Sequence, residues 1–204
     1  MPLTPLMVNL SGKNIVLVGG GYVAGRRIQT LLESGAQLTV ISPEIGKEVR
    51  VHWEKGRIKW IQKHVEPNDL DGAFLIIVAT NNPIVNQSII LAAPPNALVN
   101  AAADAVKGNV EFPSAFRRGK LAISISTNGA SPQLTRKIKE QLQTIYNENY
   151  ETYVEFLFES RQLIKRSVLN KMEQKQLLKE LLSEVFLDPS KQRQTIAWLN
   201  SFFS

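Results

Sequence analysis

IVLVGGGYVAGRRIQTLLESGAQLTVISPE, residues 15–44, sets an apolar run, three glycines and a helix-like segment in immediate succession. Residues 14–18 are almost all apolar, as a strand covered on both faces requires. Gly19-Gly20-Gly21-Tyr22-Val23-Ala24 then fits G-x-G-x-x-A at the point where a strand gives way to a helix. In that setting the first glycine permits a tight turn, Gly21 lets the backbone approach a pyrophosphate, and Ala24 allows helix and strand to pack closely. The helix N-terminus adds amide donors and a positive dipole end. Residues 22–34 carry apolar Val23, Ile28, Leu31 and Leu32 and stop at Ser34-Gly35, and residues 37–41 read as a second strand. A glycine turn with no ligand is the bland alternative, but it does not call for strand, bend and helix in this order. Among ligand readings a dinucleotide is favoured over a methyl-donor nucleotide.

An acid that holds the ribose is expected about 20 residues beyond the glycines. Here Ser42-Pro43-Glu44 offers a hydroxyl and an acid displaced by two positions, and Glu44 can also be read as a solvated charge or a helix cap. No arginine directly follows the strand to meet a 2′-phosphate, although Lys47 and Arg50 are near. The pattern leans to NAD over NADP.

Working outward, a polar segment containing Trp53 precedes a third strand at residues 58–62 and a buried strand at residues 74–79, "FLIIVA". Asn82-Pro83 starts a helix, since proline suits the first helical position, and residues 97–100 close the series as a strand. Short β-branched runs alternating with helical stretches specify a doubly wound parallel sheet. In the second half, residues 120–126 alternate Leu121, Ile123 and Ile125 with small residues, as a strand with one covered face does. Ser131 can cap, and Pro132 open, a helix. From Gln133 onward the chain is helix-permissive, with breaks near residues 147–149, 168–170 and 188–189.

Composition bounds the function. With 44% hydrophobic and 21% charged residues the 204-residue chain reads as an ordinary globular protein. No window approaches the roughly 18 apolar residues of a membrane span, and MPLTPLMVNLSGK lacks the pattern of a secretory signal, so a cytoplasmic protein is expected. Zero cysteines exclude disulfides, thiolate metal sites and cysteine nucleophiles, and two histidines leave little for a metal site, so none is expected. The net charge of +6 is concentrated between Pro113 and Lys139, where Arg117, Arg118, Lys120, Arg136, Lys137 and Lys139 occur without one acid. Such a run is a solvated face, a nucleic-acid footprint or a receptor for a small polyanion. Nucleic acid is the weaker of the last two, because no aromatic residue beyond Phe116 is interleaved for stacking.

The segments "LVGGGYVAGRR", "LTVISPE", "IVATNNPIVNQ", "VNAAADAVKGNVEFPS" and "ISTNGASPQLTRKIKEQL", in that order and spacing, resemble the precorrin-2 dehydrogenase family, which includes the N-terminal part of siroheme synthase. The resemblance implies NAD-dependent oxidation of precorrin-2 to sirohydrochlorin and a homodimer, with ferrochelation at the same site in some members. Neither a nucleic-acid partner nor a membrane is implied. The expected organisation is α/β: a Rossmann-type NAD-binding domain over residues 1–112, a small α+β dimerisation and substrate region over 113–146, and a helical region over 147–204. No methyltransferase domain is expected to follow. Carried over by position, the phosphate turn is Gly19, Gly20, Gly21, Tyr22 and Val23, the ribose region Ser42, Pro43 and Glu44, and the nicotinamide-side loop Thr80 and Asn81. The family's essential aspartate, written N-x-x-D, matches Asp104, although here Asn100-Ala101-Ala102-Ala103-Asp104 is one residue longer.

Oxidising a partly reduced tetrapyrrole removes a hydride and protons, so a carboxylate beside the substrate serves as general base or orients the macrocycle. Asp104 is the only acid between Asp71 and Glu111; its alternative is a loop aspartate capping a turn. The substrate's eight carboxylates give Arg117, Arg118, Lys120 and Arg136 a purpose. Ser124, Ser126, Thr127 and Asn128 fall where the family lines its tetrapyrrole pocket, and can equally be small residues chosen for packing or a turn. His52 and His64 fall outside every matched segment and read as surface or edge residues. A dehydrogenase alone is favoured, over a bifunctional dehydrogenase and ferrochelatase or a non-catalytic NAD-sensing module.

Overall fold

The computed structural model describes residues 3–104 and 107–203, and of residues 202 and 203 the backbone alone. Met1 and Pro2 of the N-terminal stretch, Ala105 and Val106 of the acid-bearing segment, and Ser204 lie outside the described residues. The chain divides into two compact units, Met1–Phe112 and Pro113–Ser204.

The first unit is built on five strands: β1 (Asn14–Val18), β2 (Gln37–Ile41), β3 (Lys59–Ile61), β4 (Leu75–Val78) and β5 (Leu98–Ala101). All pair in parallel, in the order β3-β2-β1-β4-β5. Alternate residues explain why the runs are continuously apolar. Ile15 and Leu17 of β1 and Leu75 and Ile77 of β4 join a core with Ile28 and Leu31 of α1 (Tyr22–Leu32) and Val49 of α2 (Lys47–Glu54). Val16, Val18, Ile76 and Val78 face the other way, onto Leu70 of the turn before β4 and Ile89 of α3 (Pro83–Ala92). Both faces of the sheet are therefore dry.

The strands lie where the patterning puts them, with β3 shorter than residues 58–62. The polar segment before it is a helix, α2, whose single buried residue, Val49, is too little apolar signal to read along the chain. Trp53 at its end packs edge-on against Trp60 of β3, ring centres 5.2 Å apart. Asn82 caps α3 through its side-chain oxygen, which accepts from the amides of Ile84 and Val85.

The second unit opens with an antiparallel hairpin, β6 (Ser114–Arg118) and β7 (Leu121–Ile125). Gly119, at φ +54°, makes the two-residue connection possible. β6 escaped the sequence reading because Arg117 and Arg118 interrupt the alternation. Four helices follow: α4 (Pro132–Ile145), α5 (Asn149–Arg166), α6 (Lys171–Glu180) and α7 (Pro189–Phe203). Their starts match local chemistry. The Ser131 hydroxyl accepts from the Leu134 amide, and Asn170 and Glu173 form a reciprocal capping box. Tyr153, Phe156, Ile164, Leu181 and Leu199 form the core, with the buried Tyr153 hydroxyl donating to the Leu181 carbonyl at 3.0 Å.

Leu17 lies fully buried between both helices and neighbouring strands. We expect Leu17→Ala to lower stability by about 3 kcal/mol, and Ile84→Ala, 81% exposed, by less than about 0.5 kcal/mol; urea unfolding midpoints of the two variants check this.

Candidate functional site

In a parallel sheet every strand delivers its C-terminal end to the same edge, and a cleft opens where the strand order reverses, here between β1 and β4. A cavity of about 620 Å³ occupies that position, within the range of small-molecule sites. Three of the loops that wall it are the glycine bend after β1, residues 42–46 after β2, and residues 79–82 after β4.

Each glycine in the bend is there for a different reason. Gly19 has φ +110°, and a Cβ on it would stand 2.4 Å from the Ala79 carbonyl oxygen, so any side chain would push β1 and β4 apart at the bend. A Cβ on Gly20 would meet the Glu44 carbonyl at 2.3 Å, because the Gly46 amide donates to the Gly20 carbonyl and draws the second loop close. Gly21 differs: it lines the cavity, and a Cβ there meets nothing within 4 Å. Gly21 is also the N-cap of α1, which has no side-chain cap and no acid in its first turn. The first amides of α1 are thus left to an anionic ligand, and the cradle fits a dinucleotide pyrophosphate.

The loop after β2 is held from two sides. The buried Ser42 hydroxyl donates to the Glu44 carbonyl at 2.6 Å, and the Trp60 indole N–H donates to the Ser42 carbonyl at 2.9 Å. With the Ser42 proton committed to the chain itself, the exposed Glu44 carboxylate is the charged acceptor this loop offers to a ribose. After β4, the Thr80 hydroxyl donates to Asn86 Oδ1 at 2.6 Å while Asn86 Nδ2 returns a bond to the Thr80 carbonyl at 3.0 Å. Thr80 is fixed against α3 by that exchange.

Gly19, Gly20, Gly21, Ser42, Pro43, Glu44, Thr80 and Asn81 therefore meet around one cavity. Tyr22 and Val23 do not line it; they form the first turn of α1, with Tyr22 66% exposed. Asp104 does not line it either. It follows β5, on the same edge of the sheet as the cavity, in a turn whose Asp104 amide donates to the Ala101 carbonyl. Its half-exposed carboxylate lies 3.4 Å from the Lys107 ammonium. Asn100, which opens the same segment, is buried and ties β5 to the returning chain through a bond from Nδ2 to the Val110 carbonyl.

Sequence reading missed a fourth wall. Lys63, His64 and Val65, which follow β3, line the cavity because β2 and β3 pair in register at Ile41 and Ile61. Lys47 and Arg50, the cations sought near β2, do not. The Lys63 ammonium lies 3.0 Å from both Glu66 and Asp69, and Asp69 Oδ2 accepts from the Glu66 amide. Burial pushes the Asp69 carboxyl up, but the Glu66 amide and Lys63 outweigh it and hold the group below its ordinary value. His52 sits apart on α2, where burial, then Arg57 and Lys55, hold its imidazole below its ordinary value.

In the second unit the acid-free run along the chain is not acid-free in space. Glu148 pairs with Arg118 at 3.1 Å, Glu155 with Lys120 at 3.2 Å, and Glu140 with Arg136 at 2.9 Å. The start of α5 carries Glu148 and Glu155 back to the hairpin, a fold no count along the chain reveals, while Glu140 lies one turn beyond Arg136 within α4. Among the described residues Arg117, Lys137 and Lys139 of the run make no ion pair. Ser124 is exposed on β7, and the Ser126 hydroxyl accepts from the Asn128 amide, Asn128 standing at φ +49°. Thr127 is tied to the start of α4, its hydroxyl accepting from the Ser131 amide. Among the described residues no group of three or more His, Asp or Glu could hold a metal ion, and no helix is long and apolar enough to cross a membrane.

Comparison with known proteins agrees with this geometry. Residues 6–114 match an NAD(P)-binding family model, residues 118–144 the model of the sirohaem biosynthesis protein central region, and residues 150–195 that of the SirC C-terminal domain. The chain is 39% identical over 199 residues to a precorrin-2 dehydrogenase of Priestia megaterium, covering 97% of this chain and 98% of that one. It is 38% identical over 159 residues to a precorrin-2 dehydrogenase of Bacillus subtilis (strain 168), covering 78% and 98%. A solved structure, "SirC, precorrin-2 dehydrogenase", superposes with a TM-score of 0.85 at 37% identity, covering 98% of this chain and all of that one.

Two neighbouring glycines separate fold from ligand. Gly21→Ala should keep the parent's melting temperature and weaken NADH binding at least tenfold, the methyl displacing one charge-assisted phosphate contact of about 1.5–3 kcal/mol; Gly20→Ala should lower the melting temperature itself. Fluorescence titration with NADH beside thermal unfolding reads both.

Proposed function

The chain belongs to the precorrin-2 dehydrogenase family, and from that premise we propose that it oxidises precorrin-2 to sirohydrochlorin with NAD, as a step of siroheme biosynthesis. The observation that carries this reading is the glycine cradle: a bend fixed by Gly19 and Gly20 and left open at Gly21, an uncapped helix start and a neighbouring acid, all around one cavity. Bound NAD supplies the hydride acceptor. The chain's own residues grip, orient and exchange a proton.

Gly19 to Gly21 hold the pyrophosphate, Glu44 accepts from the adenosine ribose, and Thr80 and Asn81 steady the nicotinamide end. Asp104 is the general base. Its position on the sheet edge that carries the cofactor loops, and its half-exposed carboxylate beside Lys107, support that role. Loss of a hydride from the reduced ring leaves a cation that sheds a proton; Asp104 takes that proton, and the ring gains a conjugated double bond. Arg117, with Lys137 and Lys139, supplies cations that make no ion pair among the described residues for the substrate's carboxylates, while Arg118, Lys120 and Arg136 can exchange their glutamates for them. Ser124, Ser126, Thr127 and Asn128 complete the tetrapyrrole side.

Residues 1–112 form the cofactor domain in this reading, residues 113–146 the substrate and dimerisation region, and residues 147–204 a helical region. The protein works in the cytoplasm as a homodimer. Support for a second copy comes from α4: it is strongly amphipathic yet has no buried residue, with Leu134 48% and Ile145 59% exposed and Ile138 and Leu142 on the same face.

Incubation with precorrin-2 and NAD should yield NADH and the sirohydrochlorin absorption spectrum, and absence of both would defeat the enzyme reading in favour of a cofactor-sensing module. Asp104→Asn should lower kcat by about 10²- to 10⁴-fold with NADH affinity retained. Adding Fe(II) or Co(II) to the product mixture reports chelation. For assembly, Leu142→Glu should convert a dimer to a monomer in sedimentation equilibrium, and a monomeric parent would refute the homodimer.

A further inference from the structure

Lys63 is the one lysine or arginine among the described residues that line the nucleotide cavity, and Glu44 is the one acid. The two belong to the same end. The Ser42 amide donates to the Ile61 carbonyl, and Lys63 follows two residues later, so its backbone runs beside the turn that carries Glu44. In a doubly wound nucleotide fold this is the adenosine-ribose end, where an acid favours a free 2′-hydroxyl and a free cation favours a 2′-phosphate.

The cation here is not free. Glu66 and Asp69 each hold the Lys63 ammonium at 3.0 Å. Asp69 is the firmer partner: its side chain is 14% exposed, against 71% for Glu66, and its second oxygen is fixed by the Glu66 amide. The bond from the Glu66 amide to Asp69 Oδ2 closes the start of the 3-10 turn at Pro67–Leu70 and keeps Asp69 in place.

We propose that this double ion pair is a cofactor-specificity device, in which Glu66 and Asp69 hold Lys63 as a neutralised cation so that Glu44 alone sets the charge at the adenosine end and NADP is rejected. The inference rests on the reading of the cavity as the NAD site. Glu66 and Asp69 are positioning residues, since they act through Lys63.

The test is the ratio of NADP to NAD affinity, measured by calorimetric titration of the full-length protein. Glu66→Gln/Asp69→Asn releases the ammonium, and NADP affinity should rise about tenfold or more, the range of a hydrogen bond to a charged group, while NAD affinity changes less than about threefold. Adding Lys63→Met to the double variant should return NADP affinity to the parent's value, a reversal that a merely structural role for the two acids would not produce. Raising the salt concentration should shrink the gain. Glu66→Gln alone, on the largely exposed carboxylate, should give a smaller rise in the same direction and serves if the double variant melts early. Unchanged NADP affinity in folded variants that still bind NAD overturns the device and leaves the cofactor site standing. Failure of the unaltered protein to bind NAD overturns the site reading and the device together.

Discussion

Two backbones pass so closely at the end of β1 that no side chain fits between them, and this contact governs the first unit. Gly19 lies against the Ala79 carbonyl and Gly20 against the Glu44 carbonyl. Since these carbonyls belong to the loops after β4 and β2, the bend acts as the keystone of three loops. The Gly19 amide is spent on the Ile41 carbonyl, but no side chain caps the first amides of α1, and the room left at Gly21 becomes room for a ligand. Structural necessity and ligand binding are thus divided between adjacent residues of one type.

The remaining walls of the cavity are rigid for polar reasons. Ser42 bonds forward to Glu44 and is gripped by Trp60 from β3; Thr80 and Asn86 exchange bonds; Lys63 is clamped by two carboxylates. Ser42, Thr80 and Lys63 each lie just past the end of a strand, where the ladder stops and loop polar groups must find partners elsewhere. A site so held needs little reorganisation to receive its ligand, which favours affinity through pre-organisation.

The second unit solves a different problem. Its helices pack on an aromatic series in which Tyr146, Tyr150, Tyr153, Phe156 and Phe186 follow one another at ring spacings of 5.0, 5.7, 6.3 and 5.4 Å. Arg118 and Lys120 of its hairpin are paired with Glu148 and Glu155, beyond the next helix, and Arg136 with Glu140 one turn on in α4. Pairs whose carboxylates are this exposed add little stability.

What the sequence determined by itself is whatever short-range chemistry can carry. The unbroken apolar strands, the glycine bend, Asn82-Pro83 and Ser131-Pro132 are each complete within a few residues, and the parallel sheet, the cofactor loops and most helix boundaries follow from them. Helix α2 and strand β6 were illegible because one buried valine and a pair of arginines leave no period to detect. Only the tertiary structure brought residues 63–65 to the cavity, through the pairing of β2 with β3, and returned Glu148 and Glu155 to cations that look unopposed along the chain. Strand pairing and ion pairing join residues tens of positions apart, and such partners are chosen by the packing of the whole unit; no local pattern records them.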